Sequence, residues 1–222
     1  VGGVVSNGGA GQNAKWQIDA GTVNISAYLS VCRGNGTGTA TSTLEVNNGA
    51  TITAANFSGG FNGGSALNTP RGAITLNNSS ILTISANGVF NLAESAGSNV
   101  TVTANQSAQI NNPGTGAKTL GNAGRGTVNL NDSSSLTFGT GTTFIGSTGG
   151  NGTVNHASSG TMTTGGLTYI GYNTGTGTMT QSSGTWNQGG ELRVGGSDIN
   201  GAGPNGTGTL TFNGGTANLF AM

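Results

Sequence analysis

The sequence predicts an all-β chain: a single-domain parallel β-helix (β-solenoid) of about eight coils, with three short strands per coil. Three observations carry this reading. A short pattern (small or polar, apolar, polar, apolar) returns eight times, about 27 residues apart. Each return is followed by tight-turn residues and a second apolar group. Glycine supplies 45 of 222 residues while charged residues make up only 5%. Fixed periods of this size mark solenoids, propellers or arrays.

The first strand of each coil is the recurring pattern itself. It reads Thr22-Val23-Asn24-Ile25, Thr43-Leu44-Glu45-Val46, Ala73-Ile74-Thr75-Leu76, Asn99-Val100-Thr101-Val102 and Thr127-Val128-Asn129-Leu130. It continues as Thr153-Val154-Asn155-His156, Thr178-Met179-Thr180-Gln181 and Thr209-Leu210-Thr211-Phe212. Alternation with period two marks a strand with one buried face. Turns follow at Asn47-Asn48-Gly49, Asn77-Asn78-Ser79-Ser80 and Asp132-Ser133-Ser134. Glycine tolerates positive φ there, and Asn or Ser bonds its own backbone. A second strand carries Leu82 and Ile84, Leu136 and Phe138, Met162 and Trp186. A third, in the later copies, ends in glycine: Phe144-Ile145-Gly146, Tyr169-Ile170-Gly171 and Arg193-Val194-Gly195.

Three strands and three corners in each period fit one coil that bonds to the coils above and below, about 4.8 Å away. Propeller blades need about four strands and longer repeats. A helical solenoid is excluded by the alternation and by glycine's cost of about 1 kcal/mol per helical position. The boundaries that follow are an N-terminal extended segment over 1–20, open to contact with a neighbouring subunit, and a parallel β-helix over 21–222.

Stacking turns each repeat position into a column. The inward column reads Ile25, Val46, Leu76, Val102, Leu130, His156, Gln181, Phe212. The adjacent polar pair His156 and Gln181 is expected to bond to each other or to be exposed by a local shift, because an unpaired buried polar group costs roughly 1–3 kcal/mol. The outward columns are rich in Thr and Asn, as on ice-binding β-solenoids, with interruptions at Ala73, Asn99 and Glu45. A second outward column reads Phe144, Tyr169, Arg193. An aromatic–aromatic–guanidinium stack of this kind suits a sugar ring or a neighbouring subunit.

Several chemistries find no support in these residues. Six cations against six anions make no basic footprint for nucleic acid. No apolar run approaches the roughly 20 residues of a transmembrane segment. Pro113-Gly114-Thr115-Gly116-Ala117-Lys118-Thr119 looks like a phosphate loop, but Ala117 and Asn112 stand where glycine is required, so it reads as a turn. Asp19, Glu45, Glu94, Asp132, Glu191 and Asp198 are too few and scattered for paired-carboxylate work. Gly195–Gly201 carries one carboxylate, whereas calcium wants 6–8 oxygen ligands. No enzyme activity, cofactor or metal is expected. The lone Cys32 makes no intrachain disulfide.

The run from Gly126 to Leu219, with units such as Gly177-Thr178-Met179-Thr180-Gln181-Ser182-Ser183-Gly184-Thr185-Trp186 and Gly208-Thr209-Leu210-Thr211-Phe212, resembles autotransporter-type β-strand repeats of bacterial surface proteins. The resemblance implies a secreted or surface-displayed parallel β-helix. It does not imply an enzyme.

A β-helix has two open ends, each an unpaired strand edge. Val1, Val4 and Val5 at one end, and Leu219, Phe220 and Met222 at the other, are apolar and uncharged. Non-identical complementary ends make a head-to-tail contact that grows into a filament. The sequence therefore points to an extracellular structural protein that self-assembles head to tail into a filament or matrix, through its open β-helix ends or by strand addition, any export signal having been removed. The alternatives are a surface adhesin or glycan binder using Phe144, Tyr169 and Arg193, and an ice-binding β-solenoid.

Overall fold

Coils this rich in short β-alternating segments have one way to satisfy their backbone, which is to pair with the neighbouring coils. The structure, a computed structural model, shows this arrangement over residues 4–8, 13–34, 39–61, 69–85, 87–197 and 204–220. Val1, Met222 and the tip of the Gly195–Gly201 loop lie outside the described residues. Every described strand pair is parallel, and no described residue is helical. The chain winds about seven turns around three faces.

The first face stacks eight strands: Asn13–Ile18, Thr41–Val46, Arg71–Leu76, Asn99–Ala104, Arg125–Leu130, Asn151–His156, Thr176–Gln181 and Thr207–Phe212. The long strands Thr22–Gly34 and Thr51–Gly59 each cross the next corner and serve both remaining faces. The second face continues through Ile81–Ile84, Gln109–Asn112, Ser135–Phe138, Thr161–Thr164, Thr185–Gln188 and Thr216–Leu219. The third begins with Val4–Gly8 and continues through Phe90–Leu92, Lys118–Leu120, Thr143–Ile145, Thr168–Ile170 and Leu192–Val194. Paired positions Asn151, Thr176 and Thr207 show the period varying between 25 and 31 residues.

Two phases differ from the sequence reading. Thr22-Val23-Asn24-Ile25 lies on the second face, paired with Thr51–Ala54. Lys15-Trp16-Gln17-Ile18 is the true partner of Thr43-Leu44-Glu45-Val46, so a rung strand falls inside residues 1–20. In the fourth copy, Val102 pairs with Val128 and Ala104 with Leu130. The inward column is therefore Ile18, Val46, Leu76, Ala104, Leu130, His156, Gln181, Phe212. A slip of two residues keeps each side chain on its own side of the strand, so the alternation alone does not reject it.

The core is the stack of inward side chains, nearly all fully buried from Leu29 to Trp186. Phe57 stacks on Phe90 at 4.7 Å, and Phe90 meets Phe138 at 5.4 Å. The first corner is held by two-residue turns closed by Ala50 N→Asn47 O, Ser80 N→Asn77 O, Ala108 N→Asn105 O and Ser134 N→Asn131 O. In the first three both central residues lie in the left-handed region, as at Asn78 and Ser79 (φ 51° and 61°), and in the fourth Asp132 does (φ 56°). An amide ladder runs along this corner: Asn131, Asn105, Asn77 and Asn47 each donate Nδ2 to the coil before, ending on Asp19, every step 2.9 Å. A carboxylate only accepts, so Asp19 suits the end where nothing remains to be donated. These bonds hold its carboxyl below its ordinary pKa.

Candidate functional site

Alternation and register place the predicted outward stack where the sequence put it. Phe144 pairs with Tyr169, and Tyr169 with Arg193, on the third face. The rings of Phe144 and Tyr169 stack at 5.4 Å with 6° between planes. The Arg193 guanidinium lies 5.3 Å from the Tyr169 centroid and donates to its hydroxyl at 3.0 Å.

Two residues outside the predicted column, Tyr172 and Glu191, complete this cluster. Tyr172 folds back from the corner to meet Phe144 and Tyr169 at 5.0 and 4.6 Å. Glu191 takes both remaining prongs of Arg193, Nε at 2.6 Å and Nη2 at 2.8 Å. This pairing lowers the Glu191 pKa and raises that of Arg193. Tyr169 is buried, and the guanidinium faces its own wall. The Glu191-x-Arg193 spacing was the available signal, since residues two apart share one side of a strand.

The corrected outward column on the first face carries Thr101, Thr127, Thr153, Thr178 and Thr209 without a break. In the column beside it, Asn155 donates to Asn129 at 2.8 Å and Asn129 to Thr103 at 3.4 Å. These polar groups are joined within the wall.

His156 and Gln181 are stacked in register and both are fully buried. They neither become exposed nor bond to each other. Gln181 donates to the carbonyl of Thr216 at 2.9 Å, leaving its Oε1 and both His156 nitrogens outside hydrogen-bond geometry. Burial pushes the imidazole pKa below its ordinary value, against a smaller pull from the Gly160 backbone. The folded chain thus holds His156 neutral, while the unfolded chain takes up a proton near pH 6.5. Stability contributed by the neutral form is present above about pH 6.5 and is lost as pH falls toward the depressed folded value. The urea midpoint is expected to fall between about pH 6.5 and 5, and His156→Leu to flatten that window. An unchanged slope in His156→Leu would remove His156 as the cause.

Cys32 is also buried, donating Sγ–H to Ala40 O at 3.2 Å, and burial raises its pKa. A thiol so placed is not positioned to bridge to another chain. No three His, Cys, Asp or Glu side chains cluster to hold a metal among the described residues. No described helix is long and apolar enough to cross a membrane.

The first and last described rungs differ. At the N-terminal rung, inward Ile18 and Ile25 are buried, with Trp16 and Val23 half-buried. At the C-terminal rung, inward Val194, Phe212 and Leu219 are 46%, 47% and 46% exposed, with Phe220 at 56%. Their column mates Ile170 and Gln181 are fully covered and Gln188 nearly so. Val4 and Val5 lie in the strand paired with Ser30 and Val31 of the same chain.

The chain matches no protein-family model, no curated protein and no solved structure.

Proposed function

We propose that this chain is an extracellular structural rod that associates head to tail, one copy seating its first rung on the last rung of another. The observation that carries the reading is the uncovered apolar rung at Val194, Phe212 and Leu219, in columns that are covered further down the rod. Exposed apolar edges of this kind template further strand pairing. The resemblance of the repeats to those of autotransporter-type surface proteins supports the extracellular setting.

The two ends also agree in phase. Leu192–Val194, Thr207–Phe212 and Thr216–Leu219 are the last described strands of the three faces. Val4–Gly8, Asn13–Ile18 and the Thr22–Ile25 stretch are the first. Stacking one copy on the next sets Thr22-Val23-Asn24-Ile25 over Thr216-Ala217-Asn218-Leu219, like on like at each position. Ile18 covers Phe212, and the Asp19 carboxylate meets the Asn213 amide.

Sedimentation and electron microscopy of the full chain, from micromolar to millimolar concentration, test this. Rods that lengthen with concentration are expected. Phe212→Lys combined with Leu219→Lys should weaken association about tenfold or more, equivalent to ~1.4 kcal/mol, with circular dichroism unchanged. Monomers throughout the range would overturn the reading.

A further inference from the structure

The outer column of the third face changes character along the rod. Its later coils carry the closed cluster of Phe144, Tyr169 and Arg193. Its early coils carry Ser30 and Ser58, paired one rung apart. These small side chains recess the wall. Tyr28 stands two positions before Ser30, on the same side of the strand, and is 46% exposed. On the other flank are Arg33, Phe61 and Glu94. Each follows by two residues one of the paired positions Val31, Gly59 and Leu92, so the three leave one corner in successive coils. These six residues line a cleft of ≈ 240 Å³.

The groups in the cleft are held in place. Arg33 Cζ lies 4.9 Å from the centre of the Phe61 ring. The Ser58 hydroxyl donates to Glu94 Oε2 at 2.5 Å, and the Glu94 amide is tied to Gly59 O at 3.0 Å.

We propose that this cleft binds a neutral pyranose of a saccharide, with its C–H face on Tyr28 and its hydroxyl rim toward Arg33 and Glu94. A pyranose presents an apolar face that an aromatic ring covers. Its adjacent hydroxyls match the two-pronged carboxylate and guanidinium, one accepting and the other donating. One positive and one negative side chain offset each other, which disfavours phosphate on one side and an ammonium on the other. Drug-sized ligands need pockets of about 300 Å³ or more, so this smaller cleft suits a single ring. The site lies on the side wall and does not depend on end-to-end association.

Saturation-transfer NMR and calorimetry on the full chain test the proposal. The probes are methyl glucoside, galactoside and mannoside, with glucuronate and inorganic phosphate for comparison. At least one neutral glycoside is expected to bind. Tyr28→Ala and Glu94→Ala should each weaken it about tenfold or more, while Tyr28→Phe and Phe144→Ala leave it in place. Thermal melting reports that the variants remain folded. Failure of every neutral glycoside to saturate, binding of the anions alone, or binding that survives Tyr28→Ala would each overturn the assignment.

Discussion

Replacing Gly146 with alanine is expected to cost well over 3 kcal/mol, enough to unfold most of a domain whose total stability is on the order of 5–15 kcal/mol. The residue sits where the chain turns from the third face back to the first. Gly121, Gly146, Gly171 and Gly195 share this position, with φ of 75° or 76°. A left-handed backbone costs an ordinary residue about 1–2 kcal/mol. That alone is survivable, because Cys32 and Ala93 hold φ of 61° and 55° in early coils. The decisive term is space. A Cβ on Gly146 would lie 2.0 Å from the Thr176 carbonyl oxygen. A Cβ on Gly152, as that strand enters the first face, would lie 2.1 Å from Gly146 N and 2.2 Å from Leu120 O. The two glycine columns interlock backbone against backbone, and backbone cannot rotate aside as a rotamer does. In the early coils side chains occupy the facing position: a Cβ on Gly60 would meet Ser98 and Val100 side-chain atoms. Gly49 is the control. Its φ is 75° with nothing within 4 Å of an added Cβ, so Gly49→Ala should cost only the backbone term of about 1–2 kcal/mol. Urea midpoints of the two variants check the comparison, and equal losses would refute the interlock.

The fold class was legible because alternation and tight turns are local signals. The phase was less so. The opening rung strand Lys15-Trp16-Gln17-Ile18 lacks the threonines of later copies, while Thr22-Val23-Asn24-Ile25 imitates them from the second face. In the fourth copy, Asn99–Ala104 alternates over six residues and offers two registers, and the true one puts the weak hydrophobe Ala104 in the core. In the sequence the third face stands out only where Gly follows it. In the early coils the same strand is fused to the second-face strand, as in Thr22–Gly34. The outward stack was readable from register, but its closure was not. Tyr172 reaches it from a loop, and Glu191 stands just before its strand rather than in the repeating pattern. The Tyr28–Glu94 cleft draws residues from three coils, which no single repeat displays. Lys118 was the least legible of all, because a lysine beside Gly114 and Gly116 reads as a solvated turn residue.

Lys118 instead opens the strand Lys118–Leu120 as an inward, fully buried side chain, paired in register with Phe90 and Thr143. Its Nζ donates to Gly114 O at 2.6 Å. Thr143 Oγ1, in the paired position of the next coil, has no hydrogen-bond partner. Burial lowers the ammonium pKa to about 8. Below that value both folded and unfolded chains carry the proton, and the folded state bears the full desolvation cost. At ~1.4 kcal/mol per pKa unit this is on the order of 3 kcal/mol. Between about pH 8 and the ordinary lysine value of about 10.4, the unfolded chain binds more protons than the folded one, so this cost is relieved as pH rises. Methionine has similar length and no charge. Lys118→Met is therefore expected to raise stability at pH 7 by about 2 kcal/mol, after loss of one hydrogen bond of about 1 kcal/mol. The advantage should shrink as pH rises from 8 to 10. The difference between wild type and variant is the quantity to follow, because unfolded Cys32 ionises in the same range and lowers the stability of both. Denaturant midpoints at pH 7 and 10 decide the matter: a variant less stable than wild type at pH 7, or a gap that does not close by pH 10, would mean that the buried amine is not the destabilising group.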